Sequence, residues 1–515
     1  GQTVTVTVTV AAGRAGKRTA TLSFGEGLTV DLSARLTRWA SDGVTATAAV
    51  SDGEFFDHAL RLDTPLVSLV SLVDALDLDE APEAASFVVA GGSLSDTLVL
   101  VGQAGLRALR VLGGGGVDTL VGPSGDLTWQ VTGDGAGTVA GASFEGFENL
   151  TGAADNQDTF DVSAAGRVAG TIDGGAGGYD TLKLDAAGGS VSAVGFDPHS
   201  GVIAIDGVRY VYAGLEPISI AAPTNLTVNG TAGDDVATLT AHATQLGWFT
   251  FSGATFETVD FERPSVSLLI DALGGQDSVT VANTFGVLDF GAIPVTITAE
   301  TIVVDGSLIT TDDVTLDARA SAQTGATTNR SAWAQVNGSI SGRHVVVSAT
   351  TEQAVSLLAQ IASGPVTITL TSNALAEITG TIVAETLQVI AQTLVDVVYA
   401  GTAPTTTPWL GVGLPSADAV VNVAATNSTT ARILDGASLT VGGTSISGTE
   451  PATVVVSALD DTSVSITIVD GSAATRLGTL VPGPNPGAQF SFDNLQALVT
   501  LSRDTRATLA ADVTS

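Results

Sequence analysis

Apolar and polar residues alternate with a period of two along most of the chain. Gln2 to Val10 reads Gln-Thr-Val-Thr-Val-Thr-Val-Thr-Val. This puts Val on one face and Thr on the other and predicts a β-strand. The same alternation or short β-branched runs recur at Val295–Thr298, Thr301–Val304, Val314–Asp317, Val345–Ser348 and Val366–Thr371, and again at Thr381–Val383, Leu387–Ile390 and Val454–Ser457. Runs of three to six residues, separated by Gly, Asp, Ser or Ala, are too short and too numerous for one sandwich. They predict an all-β chain wound as a parallel β-helix or solenoid, each coil stacked on the next.

Repeat spacing supports the winding. Asp-Thr followed by an apolar residue occurs at Asp96, Asp118, Asp158 and Asp180, so that a short step, one nearly twice as long and a second short step follow in turn. Related units at Asp235 and Asp277 are separated by another long step. A step of about 20–22 residues is the size of one coil, and one of about 40–42 reads as two. Wound throughout, the chain would make about 23 coils at about 4.8 Å each, a rod on the order of 110 Å. Two segments depart from period two. Leu66–Leu76 and Glu352–Ile361 carry apolar residues at three- and four-residue spacing and predict short helical caps or insertions, with a strand as the alternative for the first. The polar, Ala/Thr-rich stretch 320–335 predicts a protruding loop. Pro- and Gly-rich stretches suggest modules at 1–82, 83–220, 221–400 and 401–515, the last after the Gly401–Pro408 linker.

Composition narrows the function. With 515 residues and no cysteine, disulfides, thiolate metal sites and cysteine nucleophiles are excluded. The absence of Met suggests a processed product or a segment of a longer chain. Nineteen basic against 53 acidic residues give a net charge of −34, which repels phosphate backbones and anionic membranes, so no nucleic-acid partner is expected. No uncharged apolar run is long enough to cross a bilayer, so no membrane span is predicted. Aromatics make up 5% of a chain that is 44% hydrophobic, which suits narrow coils filled by small side chains.

The chemistry concentrates in Gly–Asp turns. Gly113-Gly-Gly-Gly-Val-Asp118-Thr-Leu-Val fits the nonapeptide G-G-x-G-x-D-x-U-x, in which Gly carbonyls and an Asp carboxylate coordinate Ca²⁺. Gly175-Ala-Gly-Gly-Tyr-Asp180 matches with one Gly replaced, Gly230-Thr-Ala-Gly-Asp-Asp235 matches its first half, and Gly274-Gly-Gln-Asp277 is weaker. The candidate calcium ligands are therefore Gly113, Gly115, Asp118, Gly175, Asp180, Gly230, Asp235 and Asp277. Calcium rolls place such nonapeptides in tandem, whereas these are isolated. The competing reading is a Gly-rich turn whose Asp bonds backbone amides.

Phe144-Glu-Gly-Phe-Glu-Asn-Leu-Thr-Gly152, Asp158-Thr-Phe-Asp-Val162 and Gly170-Thr-Ile-Asp-Gly-Gly-Ala-Gly-Gly-Tyr-Asp-Thr-Leu182 together resemble repeats of large secreted bacterial surface proteins of the filamentous-adhesin and RTX-adhesin type. The resemblance covers about residues 90–185, is looser over 225–285, and beyond 290 is similar in style to a haemagglutinin-like β-helical shaft. It implies a secreted or bacterial cell-surface location, a solenoid shaft, and adhesion to other copies of itself or to a surface glycan or other cell-surface ligand. Gln2–Val10 suggests a donated strand for head-to-tail assembly.

No nucleophile elbow or phosphate-binding loop is present in a fitting context. His58, His199, His242 and His344 lie far apart, none at a metal-ligand spacing. An enzyme is not expected. The rival reading is a β-helix polysaccharide lyase or hydrolase acting on acidic glycans, which needs carboxylates and a basic residue gathered on one face of several coils. The adjacent acids Asp312-Asp313 and Asp460-Asp461 read instead as solvated turns, and the five Trp are scattered.

Overall fold

The computed structural model describes residues 109–323, 327–360, 366–402, 419–441, 453–470, 473–480, 488–492, 495–510 and 512–514, with strands 4–12, 18–23, 29–31, 44–48, 85–90 and 97–99 and their neighbours 95 and 100. Strands make up most of the described residues, which contain no helix. The chain is an all-β solenoid, and its contacts divide it into two compact units, Gly1–Val228 with Thr250–Ser265, and Asn229–Phe249 with Val266–Ser515. The segments around Leu66–Leu76, Ala81–Pro82 and most of Gly401–Pro408 lie outside the described residues.

The first unit is a two-sheet coil. In one sheet the strands Thr29–Asp31, Thr97–Val99, Thr119–Val121, Asn149–Thr151, Thr171–Asp173 and Val208–Ala213 stack in parallel. Their register places Leu98, Leu120, Leu150, Ile172 and Tyr212 in one buried column. In the other sheet Thr128–Gly133, Thr159–Val162, Thr181–Asp185, Ile218–Ala221 and Val259–Glu262 stack likewise. Their inward column runs Trp129, Phe160, Leu182 and Ile218, and the Trp129 and Phe160 rings stack at 5.1 Å. Identical positions meet because each strand exposes every second residue to the lumen. Each such side chain contributes about 1.5–3 kcal/mol on burial.

The shorter repeat step is one coil: Thr97 pairs with Thr119 and Thr159 with Thr181. The longer steps are not two coils. Val236 pairs directly with Ser278, so the long spacing there is also a single coil. Asp118 and Asp158 precede strands of different sheets, Thr119–Val121 and Thr159–Val162. Extra length is taken up by antiparallel insertions. Val191–Asp197 and Ser200–Ile205 fold back beside Val208–Ala213, and Ala136–Val139 bridges Thr128–Gly133 and Ala142–Glu145.

The second unit adds a third sheet of six strands, from Leu288–Asp289 to Asp512–Thr514. Its strands also lengthen. One face runs from Ser267–Asp271 through Val314–Gln323 to His344–Gln360, Thr386–Thr402 and Thr453–Asp470, the last of 18 residues. Glu352–Gln360 is therefore strand, where the spacing predicts a helix. Residues 345 to 355 alternate strictly between lumen and solvent and pair in register with Thr386–Thr402, and that ladder overrides the local spacing. Stretch 320–335 is likewise strand on both sides of 324–326, not a protruding loop, because Val314–Gln323 and Thr327–Val336 pair along the stack.

The long strands enclose a polar seam. Thr351 donates to Thr393 at 3.2 Å, Thr393 bonds Thr429 at 2.8 Å, and Gln353 Nε2 donates to Thr371 O and Ser372 Oγ. Beyond it lies a second apolar cluster of Val355, Ile368, Leu370, Val395, Val397 and Tyr399 with their neighbours. Buried hydroxyls and amides are tolerable there because they satisfy one another across the lumen.

Candidate functional site

The repeated aspartates sit where a strand begins, side chain turned inward. Asp118, Asp180, Asp235 and Asp277 are all at most 2% exposed. Each lies within a cap between rungs. The Asp118 N–H donates to Glu148 Oε2 at 2.7 Å, Asp158 N–H to Asp180 Oδ1 at 2.6 Å, Asp235 N–H to Asp277 Oδ1 at 2.8 Å, and Asp277 N–H to Glu300 Oε2 at 2.9 Å. Asp235 also accepts the Thr231 N–H and hydroxyl. The residue just before points its acceptor the other way. Asp126 Oδ1 receives the Gln157 N–H while Leu127 N–H donates to Asp158, and Asp234 Oδ1 receives Gln276 N–H while Asp235 N–H donates to Asp277. At these two joints adjacent positions lock one rung to the next reciprocally; at the others a single amide-to-acid bond does so.

The turns that precede the caps need glycine. A Cβ at Gly113 would lie 1.9 Å from Gly146 O, and one at Gly230 would lie 2.4 Å from Asp235 Oδ2. Gly115 is exposed, and Gly175 has φ +107°. Strand-ending acids serve a different turn. Asp173, Asp185, Asp271 and Asp289 accept the N–H two residues on. The donating residues, Gly175, Ala187, Leu273 and Gly291, all take the left-handed conformation. The structure brings Asp235 and Asp277 together with Glu300, and Asp180 with Asp158, but leaves Asp118 in a separate column with Glu148. Sequence reasoning does not single out Glu148, Asp158 and Glu300 as partners. The signal that could find them is an acid one coil along, at the matching distance before the next strand.

In the second unit the cap column opens into a cleft. The register Ser278–Thr301–Trp333 sets Asp277 and Glu300 on successive rungs. A cavity of about 280 Å³ is lined by Asp277, Glu300, Asn329, Arg330 and the partly exposed Trp333, and an adjoining one of about 500 Å³ by Asp234, Gln276, Glu300 and Arg330. Burial pushes the Asp277 carboxyl up to about 7, against the Asp235 N–H, and the Glu300 and Asp235 charges add to the rise. Burial also raises Glu300, opposed by the Asp277 N–H and the Arg330 guanidinium. Asp277 is therefore partly protonated near neutral pH. Burial likewise lifts Asp180 to about 6.

A third group lies in the first unit. His199, Glu216 and Glu257 each offer a ligand atom, all within 4.8 Å of one another, and among the described residues no other set of three acids or histidines does so. His199 lies against Glu216. Glu257 is buried, which raises its carboxyl to about 8; its Thr258 N–H opposes the rise, and Glu216 and Asp260 add to it. The other described histidines serve the fold. His242 Nδ1 accepts the Thr244 and Gln245 N–H groups, and His344 Nδ1 meets Thr386 Oγ1 one rung on at 2.8 Å. Asp312 and Asp313 both receive Arg343. Asp460 is not in a turn but within the strand Thr453–Asp470, nearly buried, with Asn427, Thr462 and Arg503 around it.

No known protein family, curated protein or solved structure matches this chain. No helix among the described residues is long and apolar enough to cross a membrane.

Proposed function

We propose that the chain is a structural, adhesive element of a bacterial surface protein, secreted and presented outside the cell, and not an enzyme. The observation that carries this reading is the repeated acid cap. Chemically capable carboxylates are spent on neighbouring backbone amides, rung after rung, so their work is cohesion. A dense acidic surface resists lateral clumping. Attachment to a glycan or cell-surface ligand, or to further copies through an open sheet edge, follows from this reading. The strand Val4–Ala12 already pairs with Arg18–Ser23 and Val44–Ala48. The favoured edge for self-pairing is therefore the far side of Leu495–Leu509 beyond its partner Ala488–Phe492. Beads coated with the protein should bind glycan-bearing or protein-coated surfaces while leaving acidic polysaccharides intact.

For the glycine turns we propose amide capping in place of calcium, since Ca²⁺ needs six to eight oxygens and the Asp180, Asp235 and Asp277 carboxylates accept backbone N–H groups. Melting with and without the calcium chelator EGTA tests this: an unchanged Tm is expected, and a large fall reversed by Ca²⁺ would restore calcium at Gly113–Asp118, Gly175–Asp180 and Gly230–Asp235.

A second reading has one observation in its favour. The cleft with Asp277, Glu300, Arg330 and Trp333 gathers two acids, a guanidinium and an aromatic face on successive coils, the set a polysaccharide lyase or hydrolase acting on acidic glycans would need. Release of unsaturated or reducing sugars from a polyuronate, lost in Arg330→Ala, would establish it over the adhesive reading.

A further inference from the structure

We propose that His199, Glu216 and Glu257 form a binding site for a divalent transition-metal ion of the zinc class. The donor set is one imidazole nitrogen and two carboxylate oxygens. Imidazole suits Zn²⁺ and its neighbours, whereas Ca²⁺ takes oxygens alone. The three ligand atoms already lie within 4.8 Å of one another. An ion about 2.0–2.2 Å from each needs only a small closure of the side chains.

The fold fixes the ligands from three directions. Ile218 pairs with Val259, so Glu216 and Glu257, each two residues earlier, occupy the same position on successive rungs. His199 sits on the tight turn between Val191–Asp197 and Ser200–Ile205. That turn is held by the His199 N–H to Asp197 Oδ1 at 2.9 Å, by Ser200 Oγ to Asp197 Oδ2 at 2.7 Å, and by the Gly214 N–H to His199 O at 2.7 Å. The antiparallel insertion therefore delivers an imidazole to the seam between two rungs.

Glu257 anchors the site from inside: it is 5% exposed, and one carboxyl oxygen accepts the Thr258 N–H. Two stacked carboxyl groups and an imidazole at the edge of a partly dry site suit a bound cation. The His199 side chain, 64% exposed, leaves an entry path from solvent. Three protein ligands also leave a coordination position for water. The site does not depend on the adhesive reading. Its role is that of a clip tying the inserted hairpin to two rungs.

The test uses the whole chain with Zn²⁺ in titration calorimetry and thermal melting, and Co²⁺ as a spectroscopic probe. One equivalent of Zn²⁺ should bind and raise the melting temperature. Co²⁺ should give the visible absorption of a low-coordinate site, and Ca²⁺ should do neither. His199→Ala, on an exposed turn, should keep the fold and lose at least about tenfold in zinc affinity, since even groups that merely orient a ligand cost that much. Glu257→Gln should lose the cobalt spectrum. Equal zinc affinity in the wild type and His199→Ala, or no binding by the wild type, would overturn the proposal.

Discussion

The two units solve the same problem, holding one rung over the next, by different means. In the first unit strands of three to six residues predominate, as in Thr119–Val121 and Asn149–Thr151. A three-residue parallel ladder makes few backbone bonds, so its register needs help. Acid caps at the strand starts and aromatic columns such as Trp129 over Phe160 supply it. In the second unit the caps persist only where strands are short, at Asp235, Asp277 and Glu300. Where strands reach 17 residues, as in His344–Gln360 and Thr386–Thr402, the long ladder itself sets register and needs no acid cap. Polar side chains there move inside, to join the two sheets across the lumen. The lesson is that buried polarity tracks whichever contact the backbone leaves weak.

The largest effect that would break the comparison is loss of an aromatic. Trp129→Ala should destabilise the first unit by about 3–5 kcal/mol, read as early loss of hydrogen-exchange protection there while the long strands of the second unit stay protected. Equal loss in both units would show that they do not unfold separately. Next comes the cap. Asp235→Ala strands the Thr231 N–H and hydroxyl together and should cost about 1–3 kcal/mol in denaturant melts.

The seam should be less sensitive. Thr393→Val keeps shape but removes the hydroxyl that Thr351 and Thr429 share, for about 0.5–1.5 kcal/mol. A seam loss that exceeded the cap loss would reverse the ranking drawn here. The smallest effect is a pH slope. Folded Asp277 holds its proton up to about 7, from a usual value of 3.8, so the folded state binds more protons in that interval. The stability this group contributes is full below about 4 and declines as pH rises towards 7. Asp277→Asn should flatten the slope of Tm against pH between those values; an unchanged slope would assign it to other acids.

Much of the winding is legible in the sequence. Asp-Thr-apolar repeats separated by the short step do stack, Thr97 on Thr119 and Thr159 on Thr181, because identical residues want identical rung positions. The long steps mislead for two reasons: Asp118 and Asp158 precede strands of different sheets, and the Asp235–Asp277 step is one lengthened coil. Glu352–Gln360 misleads because a helical spacing of Val and Leu is outweighed by pairing along the full length of its strand. The aspartates are marked by their turns, but their partners are hidden, since Glu148 and Glu300 lie in turns that look unrelated. The His199 cluster is invisible for a stronger reason. The distances from 199 to 216 and 257 follow from where the hairpin and the next rung fall, not from any local motif.

The acid cap occupies one position at the start of a strand, and everything between one cap and the next is unconstrained by it. A coil can therefore nearly double in length, from the Asp158–Asp180 step to the Asp235–Asp277 step, while presenting the same joint. New hairpins and the side chains they carry can be grafted onto such a chain at many turns without disturbing the stack beneath. A scaffold of this kind can acquire new surface chemistry by insertion alone.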